Sequence, residues 1–317
     1  MSHLVIIDGH AVAHRAYHSI PPLSLNGQPV NALYGFYSML LSALDILKPD
    51  YLVVCLDSPG PTFRQSEFVG YRAKRKPTDV ALVSQLPLIP STLDIAKINY
   101  FALGGYEADD LIGTIAKKSL RKISSKSKRH LVSKVTIITG DKDLMQLVSD
   151  KVSLFVPVRG LSETKLFGPT EVKEKLGVDP DQVINLKALM GDMSDSYPGV
   201  AGVGPVAATD LLKNYQNLDN IYSHLDEIKE PLRDKLIKDK DNAYLSQKLA
   251  TLITNIPVKF TLKPAKFGEK NISGLENLFI EYNFKSLLAR LHRRYPKSAL
   301  QTQKAKVKVQ SNQTSMF

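Results

Sequence analysis

Acidic residues follow three short apolar runs, and this placement is the strongest chemical signal in the chain. Asp8 follows Leu-Val-Ile-Ile, Asp57 follows Val-Val-Cys-Leu, and Asp141 follows Ile-Ile-Thr-Gly. Runs of this length that are rich in β-branched residues predict buried strands. Because the carboxyl ends of parallel strands share one edge of a sheet, where open α/β sheets bind their ligands, we expect these carboxylates to lie together.

Further acidic residues stand in closely spaced groups along the chain. They are Glu107, Asp109, Asp110, Asp143, Asp192 and Asp195. The helix dipole favours carboxylates in a first helical turn, so Glu107 taken alone is equally well explained as the start of a helix. Taken together with the acids that follow the strands, the groups predict one acidic cleft.

A cleft with this many carboxylates requires cations, because like charges in a partly desolvated site raise one another's pKa. Carboxylate oxygens without histidine or cysteine partners suit Mg²⁺ or Mn²⁺ rather than zinc. His10, His14 and His18 recur every four residues, but no acidic motif accompanies them, which disfavours zinc. Two Mg²⁺ ions about 4 Å apart, for which Mn²⁺ can substitute, align a water nucleophile and a leaving oxygen across a phosphodiester.

The apolar runs alternate with longer segments of helical periodicity. The strand-like runs are Leu4–Ile7, Tyr51–Leu56 and Val135–Thr139, and the helical segments include Asn31–Leu47 and Ala108–Leu120. Such alternation is typical of an α/β fold in which helices flank a mostly parallel sheet. The acidic residues would then lie at one edge of that sheet.

Helical patterns dominate from about Thr170 onward, with a further strand-like run at Ile256–Leu262. We therefore expect an α/β core over residues 1–169 and a mostly helical region over 170–297. Residues 298–317 are polar and poor in bulky apolar side chains, so they cannot bury enough surface to hold one conformation. This last segment is predicted to be a disordered tail.

The composition favours a polyanionic partner, although charge alone fits a basic enzyme without such a partner equally well. Lys and Arg number 42 against 31 for Asp and Glu, which gives a net charge of +11 and favours nucleic acid over a membrane surface. No apolar run reaches the roughly 18 residues that span a bilayer, and the start lacks a signal-peptide pattern, so we expect a cytoplasmic protein. The single cysteine, Cys55, excludes an internal disulfide and is expected in the core.

Several of these motifs, in the same order, resemble the 5′ nuclease family, which includes the N-terminal domain of bacterial DNA polymerase I, phage 5′ exonucleases and eukaryotic flap endonucleases. The matching motifs are Ile-Ile-Asp8-Gly-His, Leu-Asp57-Ser, Thr62-Phe63-Arg64, Gly-Tyr-Glu107-Ala-Asp109-Asp110-Leu-Ile-Gly, Thr-Gly-Asp141-Lys-Asp143-Leu-Met-Gln-Leu-Val and Leu-Met-Gly-Asp192-Met-Ser-Asp195. The resemblance covers about Leu4 to Tyr295. It implies a PIN-like nuclease core in which all of these acids are metal ligands, directly or through water.

The resemblance also identifies residues 58–78 as the family's arch, through which a single-stranded 5′ end passes. It implies that Arg75, and Arg72 at a position where relatives usually carry lysine, act as catalytic residues on the scissile phosphate. The remaining basic and aromatic residues suit phosphates and exposed bases. Those expected to contact DNA are Arg64, Tyr71, Lys74 and Lys76.

A glycine-rich stretch follows the last acidic motif and is similar to the family's helix-turn-helix element, here about residues 188–212. Gly199, Gly202 and Gly204 would let the main chain approach a duplex phosphate at a helix N-terminus. The resemblance adds a bound K⁺ at this element. The string Gly202-x-Gly204-x-x-Ala207 also fits a dinucleotide fingerprint, but no strand precedes it, which weakens that alternative.

The C-terminal residues resemble the bacterial peptide that binds the sliding clamp. Met316 and Phe317 would fill an apolar pocket while Gln313 forms a hydrogen bond beside it. An ordinary frayed terminus is the alternative interpretation.

The sequence thus predicts a monomeric, structure-specific 5′ nuclease that hydrolyses DNA at 5′ ends and flaps in replication or repair. A DNA-structure-binding scaffold without cleavage, or a fragment of DNA polymerase I, are the alternatives. The apolar Met316-Phe317 end favours an independent chain over a linker into a polymerase. The balance of exonuclease and endonuclease action, and activity on RNA primers, stay open.

Overall fold

The computed structural model describes residues 2–121, 131–159 and 163–296. The predicted tail, with Gln313, Met316 and Phe317, lies outside these ranges. No helix within them has the length and apolar content needed to cross a membrane.

A mixed, mostly parallel sheet forms the centre of the molecule. The strands are β1 (His3–Asp8), β2 (Ser24–Leu25), β3 (Gln28–Pro29), β4 (Tyr51–Cys55), β5 (Asn99–Phe101), β6 (Lys134–Ile138), β7 (Val152–Arg159) and β8 (Glu163–Phe167). The sheet has the order β5-β4-β1-β6-β7-β8, and β2 and β3 form a separate hairpin. All pairs from β5 to β7 are parallel, whereas β8 is antiparallel to β7. The predicted α/β fold is confirmed.

Helices cover both faces of the sheet and form most of the second half of the chain. They are α1 (Gly9–Ser19), α2 (Asn31–Leu47), α3 (Phe63–Glu67), α4 (Val80–Val83), α5 (Leu88–Ile95), α6 (Ala108–Ser119), α7 (Pro169–Leu176), α8 (Val183–Met190), α9 (Pro205–Tyr215), α10 (Leu218–Ser223), α11 (Leu232–Lys238), α12 (Lys240–Ala250), α13 (Leu262–Ala265), α14 (Glu269–Glu281) and α15 (Lys285–Arg294). Short 3₁₀ turns occupy Asp143–Leu147, Pro180–Gln182 and Leu225–Glu227.

The central strand β1 is buried on both faces, which explains its unbroken apolar run. Its side chains alternate between two hydrophobic clusters, because successive residues of a strand point to opposite faces. Leu4 and Ile6 belong to a cluster that includes α6 and continues into α8, α9 and α12. Val5 and Ile7 belong to a second cluster formed with α1, α2, α14 and α15.

The last two helices return to the α/β half of the molecule. Phe279 and Phe284, from α14 and the turn before α15, are buried in the second cluster together with residues of α2 and α5. Arg290 on α15 donates hydrogen bonds to the hydroxyls of Ser38 and Ser42 on α2, each at 3.0 Å. The division of the chain near residue 170 stays a prediction, and a shared core joins the two sides of that boundary.

The strand predicted at Ile256–Leu262 is wrong. Ile256 and Val258 are buried, so the alternation behind the prediction is real, but the segment lies as irregular chain along α6 instead of joining a sheet. Lys118 of α6 donates to the main-chain carbonyl of Val258 at 2.6 Å. Pro257 lies between the two buried residues and has no N–H for a sheet ladder.

The contact of α14 with the end of α5 can be tested at Gly274. A Cβ added there would lie 2.5 Å from the carbonyl oxygen of Ile95. We expect Gly274→Ala to lower the free energy of unfolding by about 1–3 kcal/mol, the usual cost of overpacking. Gly268→Ala is the control, because its Cβ would meet nothing within 4 Å. Urea denaturation of both variants measures the difference, and equal stabilities would contradict the packing.

Candidate active site

The strand-end acids lie at one edge of the sheet, as the sequence predicts. Asp8 is the last residue of β1, and its carboxylate accepts hydrogen bonds from Ala11 N at 3.1 Å and Thr139 Oγ1 at 2.7 Å. Asp57 lies just beyond β4 and accepts from the main-chain N–H of Ala108, at the start of α6, at 2.9 Å. These bonds attach the sheet edge to α1, the β6 end and α6.

Six of the predicted metal ligands surround two adjoining cavities. Asp8, Asp57, Asp109 and Asp141 line the first, which has a volume of about 690 Å³. Asp141 also lines the second, of about 720 Å³, together with Asp143 and Asp192. The first cavity is further lined by basic and potentially basic side chains. They are His10, His14, His18, Arg72, Arg75 and Lys76.

Mutual repulsion and loss of water make this cluster electrostatically unfavourable. Burial raises the pKa of Asp8 to about 7, and the charges of Asp57 and Asp141 add to the rise. Burial and the Asp141 charge also raise the pKa of Asp143 to about 7. Burial, followed by the neighbouring carboxylates, holds the pKa of Asp109 well above its usual range. A cation among these groups would relieve the repulsion.

A lysine that the sequence analysis did not single out lies at the second cavity. Lys187 on α8 forms ion pairs with both Asp143 and Asp192. Burial alone would raise the pKa of Asp192, but hydrogen bonds from Lys187 and Ser194 outweigh it and lower this pKa to about 2. The sequence feature that could have pointed to Lys187 is its position in the mostly apolar helix α8, directly before the acidic motif.

Two further predicted ligands are paired with the arch. Arg72 contacts Glu107 Oε1 at 3.0 Å and Asp195 Oδ1 at 3.1 Å. Arg75 contacts the same Asp195 oxygen at 3.1 Å, and its side chain is 51% exposed. Because these arginines neutralise Glu107 and Asp195, either acid would have to leave its arginine in order to bind an ion.

Arg64 and Asp110 form a buried ion pair, so the DNA contact of Arg64 and the metal ligation by Asp110 stay predictions. Arg64 is 2% exposed and donates to both oxygens of Asp110, each at 2.9 Å. Its remaining donors reach the carbonyls of Leu249 and Thr251, at the end of α12. Asp110 also accepts from the N–H groups of Glu107 and Ile253, which leaves it poorly placed to bind a metal ion.

The other arch residues predicted to contact DNA differ in their exposure to solvent. Tyr71 is 4% exposed, and its hydroxyl lies 3.2 Å from Glu107 and 3.0 Å from Asp195, so its DNA contact stays a prediction. Its burial places it among the acids rather than on the surface. Lys74 and Lys76 are exposed and available to a phosphate backbone.

The predicted helix-turn-helix segment consists of the end of α8, a loop and most of α9. Gly199 is buried at φ +63, and a Cβ there would lie 2.1 Å from the main-chain nitrogen of Gly191. In this structure Gly199 thus lies close to the protein's own backbone, and its contact with DNA stays a prediction. Gly202 and Gly204 are exposed before the N-terminus of α9.

The donor chemistry of the cluster fits a hard divalent ion, because every predicted ligand is a carboxylate. Within residues 2–121, 131–159 and 163–296, however, no three acidic, histidine or cysteine side chains converge closely enough to form a chelating group. The carboxylates are turned to Thr139, main-chain N–H groups and Lys187 instead. Hydrogen bonds from a hydroxyl or a main-chain N–H can persist when a carboxylate binds a metal ion, whereas the Lys187 ammonium competes with the ion as a positive charge.

Family models match nearly the whole described chain. Residues 3–177 match the 5′-3′ exonuclease N-terminal resolvase-like domain, and residues 178–273 match the 5′-3′ exonuclease C-terminal SAM fold. The fold and the acidic edge are those of a nuclease, and the chain belongs to the 5′-3′ exonuclease family. The family, the fold class and the enzyme class predicted from the sequence are thereby confirmed.

Similar proteins include the DNA polymerase I of Bacillus subtilis, 36% identical over 91% of this chain and 32% of the relative. The DNA polymerase I of Caldicellulosiruptor bescii is 38% identical over 91% of this chain and 33% of the relative. The chain thus spans about a third of the length of these relatives. This coverage is compatible with both an independent nuclease and the nuclease part of a polymerase.

Solved structures with the same fold include the T5 D15 protein co-crystallised with metal ions. Its TM-score is 0.64 at 21% identity, and the match covers 91% of this chain and 99% of that one. The catalytic core of Rad2 in complex with a DNA substrate has a TM-score of 0.60 at 17% identity, with 92% of each chain covered.

The buried pair Arg64–Asp110 can be tested by removing its positive partner. Arg64→Met leaves a fully buried carboxylate without its counter-charge, and we expect a loss of about 3–5 kcal/mol of stability. Combining it with Asp110→Asn should cost less than the sum of the single changes, by about 0.5–3 kcal/mol. Arg233→Met, which breaks the exposed pair with Glu230, is the control and should cost about 0–1 kcal/mol. Denaturant unfolding measures all four variants, and additive effects would contradict the pairing.

Proposed function

We propose that this chain is a structure-specific 5′ nuclease that hydrolyses DNA phosphodiesters at 5′ ends and flaps with two Mg²⁺ ions, for which Mn²⁺ can substitute. The observation that carries the proposal is the convergence of six carboxylates on two adjoining cavities beside basic arch residues. The metal ions of the T5 D15 crystals and the DNA substrate bound to the Rad2 core are in keeping with a metal-dependent nuclease that binds DNA.

The cavity-lining carboxylates are the residues that would hold the ions. They are Asp8, Asp57, Asp109, Asp141, Asp143 and Asp192. When bound, such ions lower the pKa of a water nucleophile and stabilise the leaving oxygen. The sheet edge sets the spacing of the carboxylates. Because water is the nucleophile, the reaction needs no covalent intermediate with the protein.

The two arch arginines have different surroundings and would serve the scissile phosphate differently. Arg75 is half exposed at the first cavity and makes one carboxylate contact, so its guanidinium is available to offset phosphate charge. Arg72 is 24% exposed and contacts Glu107 and Asp195. It would position the arch over the acids as well as contribute charge.

The exposed part of the loop between α8 and α9 would bind duplex DNA. Gly202 and Gly204 would let a phosphate approach the N-terminus of α9, where main-chain N–H groups and the helix dipole favour an anion. This loop would also hold a K⁺ ion, whose positive charge would favour a nearby phosphate. Lys74 and Lys76 would contact the 5′ strand through its backbone.

The same proposal includes action as a cytoplasmic monomer in replication or repair, and recruitment by the sliding clamp. The net charge of +11 supports binding to DNA intermediates. Residues Gln313, Met316 and Phe317 supply the apolar and hydrogen-bonding groups of a clamp-binding peptide.

Deleting residues 313–317 tests the clamp contact. We expect the truncated protein to cleave oligonucleotide flaps as fast as the full chain but to lose co-elution with purified clamp. Replacing Ser311 by Ala is the matched control, because it alters the tail outside the motif. Clamp binding that survives the deletion, or fails in the intact protein, would remove this part of the proposal.

The metal-dependent mechanism predicts that changing a metal ligand abolishes cleavage but leaves DNA binding nearly intact. Asp141→Asn or Asp192→Asn should lower single-turnover cleavage of a 5′ flap in Mg²⁺ by more than about 100-fold, since even the partners of metal ligands cost about 10–100-fold. Flap binding in Ca²⁺ should stay within about threefold of wild type, because the basic contacts remain. Asp150→Asn, an exposed acid in a turn, removes the same charge and should leave both unchanged.

The scaffold alternative predicts the opposite pattern. Wild-type protein that binds flap DNA tightly but leaves it intact in Mg²⁺ and Mn²⁺ would favour the scaffold. Near wild-type turnover of either variant at saturating Mg²⁺ would remove that residue from the metal site. Mapping the cut positions on flap, nicked and blunt duplexes then defines the preferred structure.

A further inference from the structure

Lys187 occupies an unusual place for a lysine. It projects from α8, whose Val183, Leu186 and Leu189 are buried, and its own side chain is only 16% exposed. An ammonium group in such surroundings is stable only when it is paired. Its partners are Asp143 and Asp192, which come from different elements and are 19% and 17% exposed.

Asp192 has one oxygen left for Lys187. Its Oδ1 accepts the N–H of Ser194 at 2.7 Å, the hydroxyl of Ser194 at 2.5 Å and the N–H of Asp195 at 3.3 Å. Its Oδ2 accepts the Lys187 ammonium at 2.7 Å. An ion bound by Asp192 would therefore meet the lysine at Oδ2, unless the loop around Ser194 were rebuilt.

The lysine also lies between two carboxylates that would share an ion. Asp143 belongs to the 3₁₀ turn after β6 and Asp192 to the loop after α8, so their approach creates a strongly negative point between two elements. The ammonium group forms ion pairs with one carboxylate from each element, at Asp143 Oδ1 and Asp192 Oδ2. A single positive charge thus stands where a divalent ion would bind both acids.

We propose that Lys187 is a resident counter-cation: its ammonium holds Asp143 and Asp192 together and competes with the divalent ion for Asp192 Oδ2. This inference rests on the metal site of the proposed function and adds a device that sets its affinity. Lys187 is a positioning residue in this scheme. It stabilises the acid pair before metal binding and moves from it as the ion enters.

Lys187→Met keeps the length of the side chain and removes its charge, and Lys187→Arg keeps the charge. The test measures Mn²⁺ binding by calorimetry and by the loss of the free Mn²⁺ electron spin resonance signal, without DNA. We expect one of the two Mn²⁺ sites of Lys187→Met to bind the ion at least about tenfold more tightly than in wild type. This ratio equals about 1.4 kcal/mol of binding free energy. Lys187→Arg should bind within about threefold of wild type.

Thermal unfolding supplies the second readout. In EDTA, Lys187→Met should unfold at a lower temperature than wild type, because Asp143 and Asp192 then repel each other. In saturating Mn²⁺ that difference should shrink or vanish. A merely structural lysine would instead lower the melting temperature equally in both conditions and leave Mn²⁺ affinity unchanged or weaker, and either result overturns the proposal.

A third test follows the Lys187 ammonium group directly in the wild-type protein. The ¹⁵N signal of the Lys187 ammonium, assigned by its absence in Lys187→Arg, should show slow proton exchange in EDTA and fast exchange after Mg²⁺ is added. An ammonium signal unchanged by saturating Mg²⁺ would overturn the competition while leaving the nuclease proposal intact. If wild type bound no Mn²⁺ at all, the proposed metal site and the role of Lys187 would both fall.

Discussion

Repulsion between carboxylates at one edge of a parallel sheet is the constraint on which this structure depends. Asp8, Asp109 and Asp143 all have pKa values raised by burial and by their neighbours. Such a cluster persists only when the surrounding fold is stable enough to hold it and when positive groups offset part of its charge. The buried strands beneath the cluster and the basic groups around it meet these two requirements.

The sheet meets the first requirement through its strand order. The strands β4, β1 and β6 are neighbours at its centre, so their carboxyl ends bring Asp8 and Asp57 together with the loop that holds Asp141. Hydrophobic clusters on both faces bury these strands. The carboxylates consequently lie at the ends of buried strands, which suits a site whose ligand spacing must be kept.

Basic groups meet the second requirement, and they divide the acids into groups with different chemistry. Arg64 neutralises Asp110 in the interior, Arg72 links the arch to Glu107 and Asp195, and Lys187 joins Asp143 to Asp192. A further group, Asp8, Asp57, Asp109 and Asp141, lines the first cavity. Motif similarity treats all of these acids alike, whereas the structure gives each group of acids a different basic partner.

The sequence by itself determined the α/β class, the position of the strand-end acids and the family, because each is carried by a local pattern. Strand periodicity and the acid after each strand lie within a few residues of one another, and the helix Asn31–Leu47 was predicted with its observed bounds. Only the tertiary structure decided which side chains are paired. Arg64 contacts residues 46 and 185 positions away, and no local pattern tells whether a basic side chain will face DNA or a distant carboxylate. The same reason explains the failed strand at Ile256–Leu262, since alternating burial records which side chains point inward but not whether a partner strand lies alongside.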